Sequence, residues 1–570
     1  MTPAPDRQSG PAEIASVLLR AFFLTAAVYL IVKIVFLATY SIHTRFVMDE
    51  YESIGGWVGV PTGLYSDFVP VRTILAALFY QLPRLITDDA VGLMTAGRLQ
   101  SLFLAVSMLA MVYGISRNLG RDRAEALFSV VIVLTFSTFI ERAFRIRADT
   151  VATTLALVGV WAATRQGWTR GQASMAGVFA GLAFLATQKA VFAAIALGLG
   201  YLTAGTGRKR AVTMLACFVA GWIGAVLAYA LFYGGSRFPR VLWLIFTTPA
   251  ELGFEVDRYY AGFGRWRLQT VGRNLAPYLI CTWGLILALK RFRKAGPHYR
   301  LATVYTLVLT ALVFTHNQPW PYVFVTALPV LGLWSVEPIR QISAGAKDRR
   351  NFLLLFTVVL AFGSFVRNVS YLQHDNAIQN QVVRSAERLL APSDTYCDGI
   401  RMVGSRHSAC DTWWDAWTVH RLLESAAAGD SAWVGDILRG QPKVWILSYR
   451  FDKLAPVLQS YIDRSYVLVD ANIRLSGTEV PVVGEVEFLN YWPGCYRAYD
   501  RKAAPVEVTL LIDGEQRGGR FDLSQGSHRI APSDADGSDA VNLLPCDVSL
   551  DGPVPAQGPR PNLFEGVYSF

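Results

Sequence analysis

Charge is scarce in this chain: 17% of its 570 residues are Asp, Glu, Lys or Arg and 53% are hydrophobic, where a soluble domain carries roughly a quarter charged. That profile excludes disorder, a collagen-like fibre and a single soluble domain. Long apolar runs are missing from one part only. They recur from Val17 to Tyr371, whereas residues 373–570 hold none able to cross a hydrocarbon core of roughly 30 Å. The tail also lacks a nucleotide-binding glycine fingerprint and zinc-ligand spacing, which places the chemistry in the apolar half. No small-residue cleavage site follows the first apolar block, residues 17–40, which is too long for a signal-peptide core and reads as a retained span. The expected organisation is a cytoplasmic tail (residues 1–14), a helical membrane domain (15–372), an α/β domain (373–476) and a β-rich, sandwich-like domain (477–570).

The formal charge of +10 does not point to nucleic acid, because the basic residues form short clusters between apolar blocks. The clusters are Arg117, Arg121 and Arg123; Arg165 and Arg170; Arg208, Lys209 and Arg210; Lys290, Arg291, Arg293 and Lys294; and Arg340, Lys347, Arg349 and Arg350. Two apolar blocks separate each from the next, so all five share one face, the cytoplasmic one. Segment 71–86 is short for a span. Its Val71, Ile74, Leu75, Leu78, Phe79 and Leu82 form one stripe, with Arg72, Thr73, Gln81 and Arg84 opposite, as in a helix lying at the headgroup plane. With that helix flat, the amino terminus is cytoplasmic, about eleven helices cross, and the carboxyl-terminal domains lie outside.

Six cysteines are present. Cys217 and Cys281 lie in spans, while Cys397, Cys410, Cys495 and Cys546 fall in the tail, an even number that favours an oxidising compartment. Four cysteines pair in three ways; their grouping within each half of the tail favours Cys397 with Cys410 and Cys495 with Cys546. In the first half, residues 377–390 are amphipathic, 444–447 and 466–469 read as buried strands, and 419–428 and 433–439 as helices. In the second, Val506, Val508, Leu510 and Ile512 alternate into the hairpin signal Asp513-Gly514. Trp413, Trp414, Trp417, Tyr491 and Trp492 offer aromatic surface for sugar rings, although aromatics at such spacings are more often core.

On the outer face, five loops converge. The first contains Met48-Asp49-Glu50-Tyr51; the second, residues 141–149, carries Arg142, Arg145, Arg147 and Asp149 against the positive-inside trend; the third is Gln188-Lys189; the fourth spans residues 235–274; the fifth is His316-Asn317-Gln318-Pro319. Singly, each has a plain structural explanation: solvated acids, headgroup contacts, a snorkelling lysine, a helix-end histidine. Together they supply carboxylates for base work and cations suited to a phosphate, the needs of a hydroxyl attacking a sugar carbon with departure of a lipid-linked phosphate.

At these residues the chain resembles the GT-C class of integral-membrane glycosyltransferases, in particular the branch holding lipid A aminoarabinose transferase and protein O-mannosyltransferases. The pieces occur in order: Met48-Asp49-Glu50 with Tyr51, Ala96-Gly97-Arg98-Leu99, Arg147-Ala148-Asp149, Thr187-Gln188-Lys189 and His316 through Tyr322, H-N-Q-P-W-P-Y. Gln188 is inserted between Thr187 and Lys189, and a lysine of that class's first outer loop has no clear counterpart, Arg72 being the candidate for its place. The resemblance implies a polyprenyl-phosphate-sugar donor, a glycan, lipid or protein acceptor at or outside the membrane, and inversion at the anomeric carbon. On it, Asp49 is the general base, Glu50 or Asp149 orients the acceptor or a cation, and Arg142, Arg145, Arg147, Lys189 and Arg72 are candidates for the phosphate, with His316 and Tyr322 as further site candidates. No cofactor is assigned; a divalent metal near Asp49, Asp149 and His316 is left open, since the spacing establishes no ligand set.

The expected location is a multi-pass inner or plasma membrane, with no nucleic-acid partner. The rival readings are a lipid or glycolipid transporter or flippase, which would need charges inside the spans or paired interrupted helices, and a non-catalytic membrane-anchored glycan-binding protein.

Overall fold

The computed structural model describes residues 11–55, 65, 73–205, 207–248, 264–318, 320–410, 414–533, 540–548, 550 and 560–565. Its first part is a helical assembly: α1 (Pro11–His43), α2 (Met48–Gly55), α3 (Leu75–Gln81), α4 (Ala90–Asn118), α5 (Arg123–Thr135), α6 (Ser137–Arg142), α7 (Ala148–Thr164), α8 (Arg170–Ala186), α9 (Val191–Thr203) and α10 (Arg208–Gly234), then further helices that include Leu275–Arg291, Pro297–Thr315 and Lys347–Ala361. Helix starts follow local chemistry. Asp89 caps α4 by accepting from the N–H groups of Val91 and Gly92, and Asp122 with Glu125 and Thr169 with Gln172 form reciprocal capping boxes on α5 and α8.

Among the described residues, five helical stretches are long and apolar enough to cross a membrane: Ala12–His43, Ala90–Asn118, Arg208–Thr248, Leu275–Lys294 and Lys347–Gln373. The expected count of about eleven therefore exceeds the number of long helices. The other apolar blocks fold as shorter or broken helices, because extended Phe136 divides α5 from α6, and Pro321, Pro329 and Pro338 each stand within a separate short helix. The most extensive helix packing among the described residues joins α8 to α10. A Cβ on Gly177 would fall 1.9 Å from the carbonyl oxygen of Phe218, and one on Gly221 2.2 Å from that of Ser174, so only glycine permits this backbone approach.

The basic clusters meet at one end of the assembly. Arg340 pairs with Glu125 at 2.7 Å, Arg350 with Asp122 at 2.7 Å, and Arg291 with Glu337 at 2.8 Å; Arg121 also reaches Glu337. Arg210 donates to the Trp168 carbonyl, joining the loops around the second and third clusters. The long spans are not wholly free of charge: Lys33 in α1 is fully buried, with Nζ 2.6 Å from the Asn368 amide oxygen.

At the other end lie α2, α3 and the start of the tail. Residues 71 and 72 lie outside the described residues. From Thr73 onward the chain buries Ile74, Ala76 and Tyr80 against the protein and leaves Leu75, Leu78 and Phe79 half-buried and Leu82 exposed. The apolar stripe is thus partly covered: Ile74, Leu75 and Leu78 pack into one apolar cluster, Phe79 packs on the main core, and Leu82 stays exposed. The tail begins here: Asn376 donates its N–H to the His43 carbonyl at 2.8 Å, and Gln379 accepts from Phe46 N–H at 2.8 Å.

The tail is an α/β unit followed by a sandwich. Strands β1 (Thr395–Cys397), β2 (His407–Ser408), β3 (Pro442–Ile446), β4 (Tyr466–Asp470) and β5 (Ile473–Ser476) form a sheet of order β2-β1-β3-β5-β4, parallel among the first three strands and antiparallel thereafter. Its helices are Ala377–Leu389, Ala416–Ala427, Ala432–Arg439 and Tyr449–Asp463. Beyond Ser476, β6 (Thr478–Val480), β7 (Val486–Asn490), β8 (Gly494–Tyr499), β9 (Thr509–Ile512), β10 (Glu515–Gly518), β11 (Arg520–Leu523), β12 (Gly526–Pro532) and β13 (Val541–Pro545) make two four-stranded sheets, β10-β9-β12-β7 and β11-β8-β13-β6. The turn between β9 and β10 is Asp513-Gly514, with φ of 52° and 87°, as a two-residue hairpin requires. Disulfides join Cys397 to Cys410 and Cys495 to Cys546; Cys217 and Cys281 are free. Of the tail aromatics, Trp414 is fully buried, Trp492 packs on Tyr496, Trp417 stands 6.1 Å from the ring of His420, and Trp413 lies outside the described residues.

Candidate functional site

The candidate site, at the end of the assembly away from the basic clusters, is built on a buried acid. Glu50, in the first turn of α2, accepts from the Val47 N–H at 2.9 Å and the Ile146 N–H at 3.2 Å, from Arg98 Nε at 2.9 Å and Nη2 at 2.8 Å, and from Arg145 Nη1 at 2.9 Å. Five donors saturate the lone pairs of a carboxylate. Burial opposes its charge, but the two guanidinium groups outweigh burial and hold the Glu50 carboxyl down to about 2. Arg98 and Arg145 donate as well to carbonyls in the last turn of α1 and in the link to α2, so the chain leaving α1 is fixed on both sides.

One residue earlier on the same short helix, Asp49 is turned elsewhere. Its Oδ2 meets Arg147 Nη1, and Arg147 Nε lies 3.4 Å from Asp149 Oδ2. The Asp49 side chain is 30% exposed, Asp149 16% and Arg147 10%, so Asp49 is the open carboxylate of the group. The guanidinium of Arg147 lies 3.4 Å over the Tyr322 ring, and Lys189 Nζ is 5.5 Å from the same ring centroid. Tyr80 sets the backbone here: its hydroxyl accepts from the Arg147 N–H and donates to the Arg147 carbonyl at 3.1 Å. Asp149 lies in the first turn of α7, where the helix dipole favours a negative charge.

The structure thus brings together Asp49, Arg147, Asp149, Lys189 and Tyr322 from four separate loops. Glu50 and Arg145 lie beneath them, bound to each other. Arg142 ends α6 and is half-buried, with Glu141 beside it paired to Arg273 at 3.6 Å. His316 stands at the end of the helix Pro297–Thr315; its Nδ1 accepts from the Gln318 N–H, its carbonyl accepts from Arg267 at 2.7 Å, and its ring packs on Phe192 at 5.7 Å. Arg72 lies outside the described residues. Among the described residues no three His, Cys, Asp or Glu side chains group closely enough to hold a metal ion. Arg147 stands between the two carboxylates, Asp49 and Asp149, that would begin such a set.

Arg98, quoted above within Ala96-Gly97-Arg98-Leu99 but given no role, and Tyr80 are the structural residues that reading outward from the acids misses. The signal for Arg98 is a lone arginine within an otherwise apolar span, which calls for a buried counter-charge. Tyr80 carries no such signal.

No family model matches the chain, and no curated protein matches it. Among solved structures, it is similar to ArnT from Cupriavidus metallidurans bound to undecaprenyl phosphate, at 13% identity and a TM-score of 0.53, over 79% of this chain and 97% of that one. The apo oligosaccharyltransferase of Archaeoglobus fulgidus matches at 9% identity and a TM-score of 0.49, over 87% of this chain and 75% of that one. At 13% identity the ArnT likeness shows the fold, that of the GT-C class, and it extends from the helical assembly into the tail.

Proposed function

We propose that this GT-C-fold protein transfers a sugar from a polyprenyl-phosphate-linked donor to an acceptor on the extracytoplasmic face, with Asp49 as general base. The observation that carries the reading is the Asp49, Arg147 and Lys189 grouping around Tyr322: an open carboxylate beside two cations at the end of the assembly opposite the basic clusters. A free hydroxyl is a poor nucleophile near neutral pH, and removal of its proton as the bond to carbon forms is the work of Asp49. Arg147 and Lys189 meet the negative charge that grows on the departing phosphate, and cations already fixed in place do so without reorganising. Direct displacement by one base opposite the leaving group inverts the anomeric centre. Asp149 holds the other side of Arg147 and orients it.

The same reading assigns about eleven crossings, the amino terminus to the cytoplasm and the tail outside. It is supported by the meeting of the basic clusters at one end and of Thr44 with Asp375 at the other. A transporter would use Lys33 as part of a path, yet that ammonium is enclosed and held by Asn368.

The decisive experiment compares undecaprenyl phosphate with undecaprenol, which lacks the phosphate, on the purified protein in nanodiscs. Saturable binding of the phosphate alone, lost in Arg147→Ala, is the expected result. Equal binding of both lipids overturns the reading.

A further inference from the structure

Met48, the residue before Asp49, is gripped from the tail. Its Sδ accepts the Tyr449 hydroxyl at 2.9 Å and Arg450 Nη2 at 3.2 Å. Both donors open the helix Tyr449–Asp463, whose start is fixed by Ser448 accepting from the Arg450 N–H. Three residues beyond Met48, Tyr51 meets the ring of Phe564 at 6.3 Å, and Phe564 in turn packs on Tyr449 at 5.3 Å. Leu563 and Phe564 are 2% and 4% exposed, and Arg45 donates to the Glu565 carbonyl at 2.5 Å.

Two features make this more than packing. Arg450 is 7% exposed and its Nη2 is directed at the Met48 thioether, and a buried guanidinium facing so weak an acceptor is costly. A methionine sulfur is a weak acceptor, and a leucine would fill the same space while accepting neither donor. An eight-residue helix does not maintain itself in isolation. The orientation of α2 that turns Asp49 toward Arg147 therefore depends on three holds: Glu50 on Arg98 and Arg145, the Ile54 carbonyl on Gln81 and Arg84 at the far end, and Met48 with Tyr51 on Tyr449, Arg450 and Phe564 from the tail.

We propose that Tyr449, Arg450 and Phe564 are positioning residues for Asp49, so that the tail acts on the transfer step through α2. The inference rests on Asp49 being the base. The full-length protein in nanodiscs tests it with Met48→Leu, Arg450→Met, the double variant and Arg450→Lys, reading backbone hydrogen exchange in α2 and α4, turnover, and affinity for undecaprenyl phosphate.

Exchange in α2 should rise about tenfold or more in Met48→Leu and Arg450→Met, with turnover falling about tenfold, while α4 protection and lipid affinity stay within about twofold of wild type. The double variant should be no worse than the poorer single one, because both lose the same contact. Arg450→Lys retains a donor and should recover part of the turnover. Unchanged α2 exchange overturns the proposal, and so does a parallel loss of α4 protection and lipid affinity, which marks a merely structural role. Failure of the base assignment shows differently, as wild-type turnover in Asp49→Asn alongside accelerated α2 exchange in the Met48 and Arg450 variants.

Discussion

Arg98 donates to both oxygens of Glu50, Nε to Oε1 and Nη2 to Oε2, with both side chains fully buried. This pair separates two adjacent acids into different tasks. Glu50→Gln removes the charge while leaving Arg98 and Arg145 buried, and loss of one partner of a buried pair costs roughly 3–5 kcal/mol. Denaturant or thermal unfolding of the variant should show that loss; an unfolding midpoint equal to wild type would mean the pair does not hold α2.

Asp49→Asn should behave in the opposite way. It keeps size and polarity and leaves the Glu50 framework intact, so folding is little altered, while loss of a general base lowers turnover by roughly 10²- to 10⁴-fold. Donor affinity should hardly change, since the base acts in the transition state. A folded Asp49→Asn protein with wild-type turnover would refute the assignment, and inactivity of Asp149→Asn alone would move the base to Asp149.

Phosphate contact separates the arginines of the second loop. Arg147→Ala and Lys189→Ala should each weaken undecaprenyl phosphate binding by about 10- to 150-fold, the equivalent of a charge-assisted bond of roughly 1.5–3 kcal/mol. Arg145→Ala, in contrast, removes a partner of Glu50 and should appear in the unfolding midpoint. Equal affinities for the lipid phosphate across wild type, Arg147→Ala and Lys189→Ala would refute the cationic site.

Acid should loosen the molecule through carboxyls held low in the folded chain. For Glu50, burial opposes the charge, but Arg98 and Arg145 bring the carboxyl to about 2. For Asp513 on the sandwich, a smaller burial effect is outweighed by the hydrogen bonds from His528 and the Arg529 N–H. The folded state then binds fewer protons than the unfolded one at acidic pH. Glu50's stabilisation is complete above its ordinary value of 4.5 and is lost as pH falls toward 2, and Asp513's is complete above its ordinary value of 3.8 and is lost as pH falls below that. Melting followed from pH 7 downward should be level until about pH 5 and decline below it, and Asp513→Asn should flatten part of that decline in the sandwich. Stability that rises on acidification would contradict both assignments.

Sidedness can be read with single cysteines on a background without free thiols. Labels at Asp88, beside α4's start, should react from outside intact cells, and labels at Arg170, at the start of α8, only after permeabilisation. Reaction of both positions from the same side would overturn the proposed orientation.

Much of the tail was legible in sequence because local patterns decide it: alternation through Leu510 and Ile512 into Asp513-Gly514 is a hairpin whatever surrounds it. The strand expected at residues 444–447 lies at Pro442–Ile446, and the helix expected from residue 377 is Ala377–Leu389. Span architecture was less legible, because hydropathy reports apolar length and not the break at Phe136 or the prolines that shorten later helices. Within the site, Arg142, Arg145 and Arg147 are indistinguishable as residue types. What separates the last two is local geometry: Arg147 is extended, with φ of −146° and ψ of 146°, at the entry to α7, while the Arg145 guanidinium donates to the Glu141 carbonyl and to Glu50. That distinction depends on where α2 docks, a contact 95 residues away in sequence.

The hydrogen bond from Arg45 to the Glu565 carbonyl links positions 520 residues apart. A ribosome adding roughly 5–20 residues per second needs about 25–100 s to travel between them. During that interval α1 and α4 can already be in the bilayer, with Met48 and Tyr51 still waiting for Tyr449, Arg450 and Phe564. On the proposed role of α2, the newborn protein carries Asp49, Arg147 and Lys189 well before Tyr449, Arg450 and Phe564 exist to align them. A membrane quality-control protease that samples nascent chains would meet α2 in its unclamped form for all of that time.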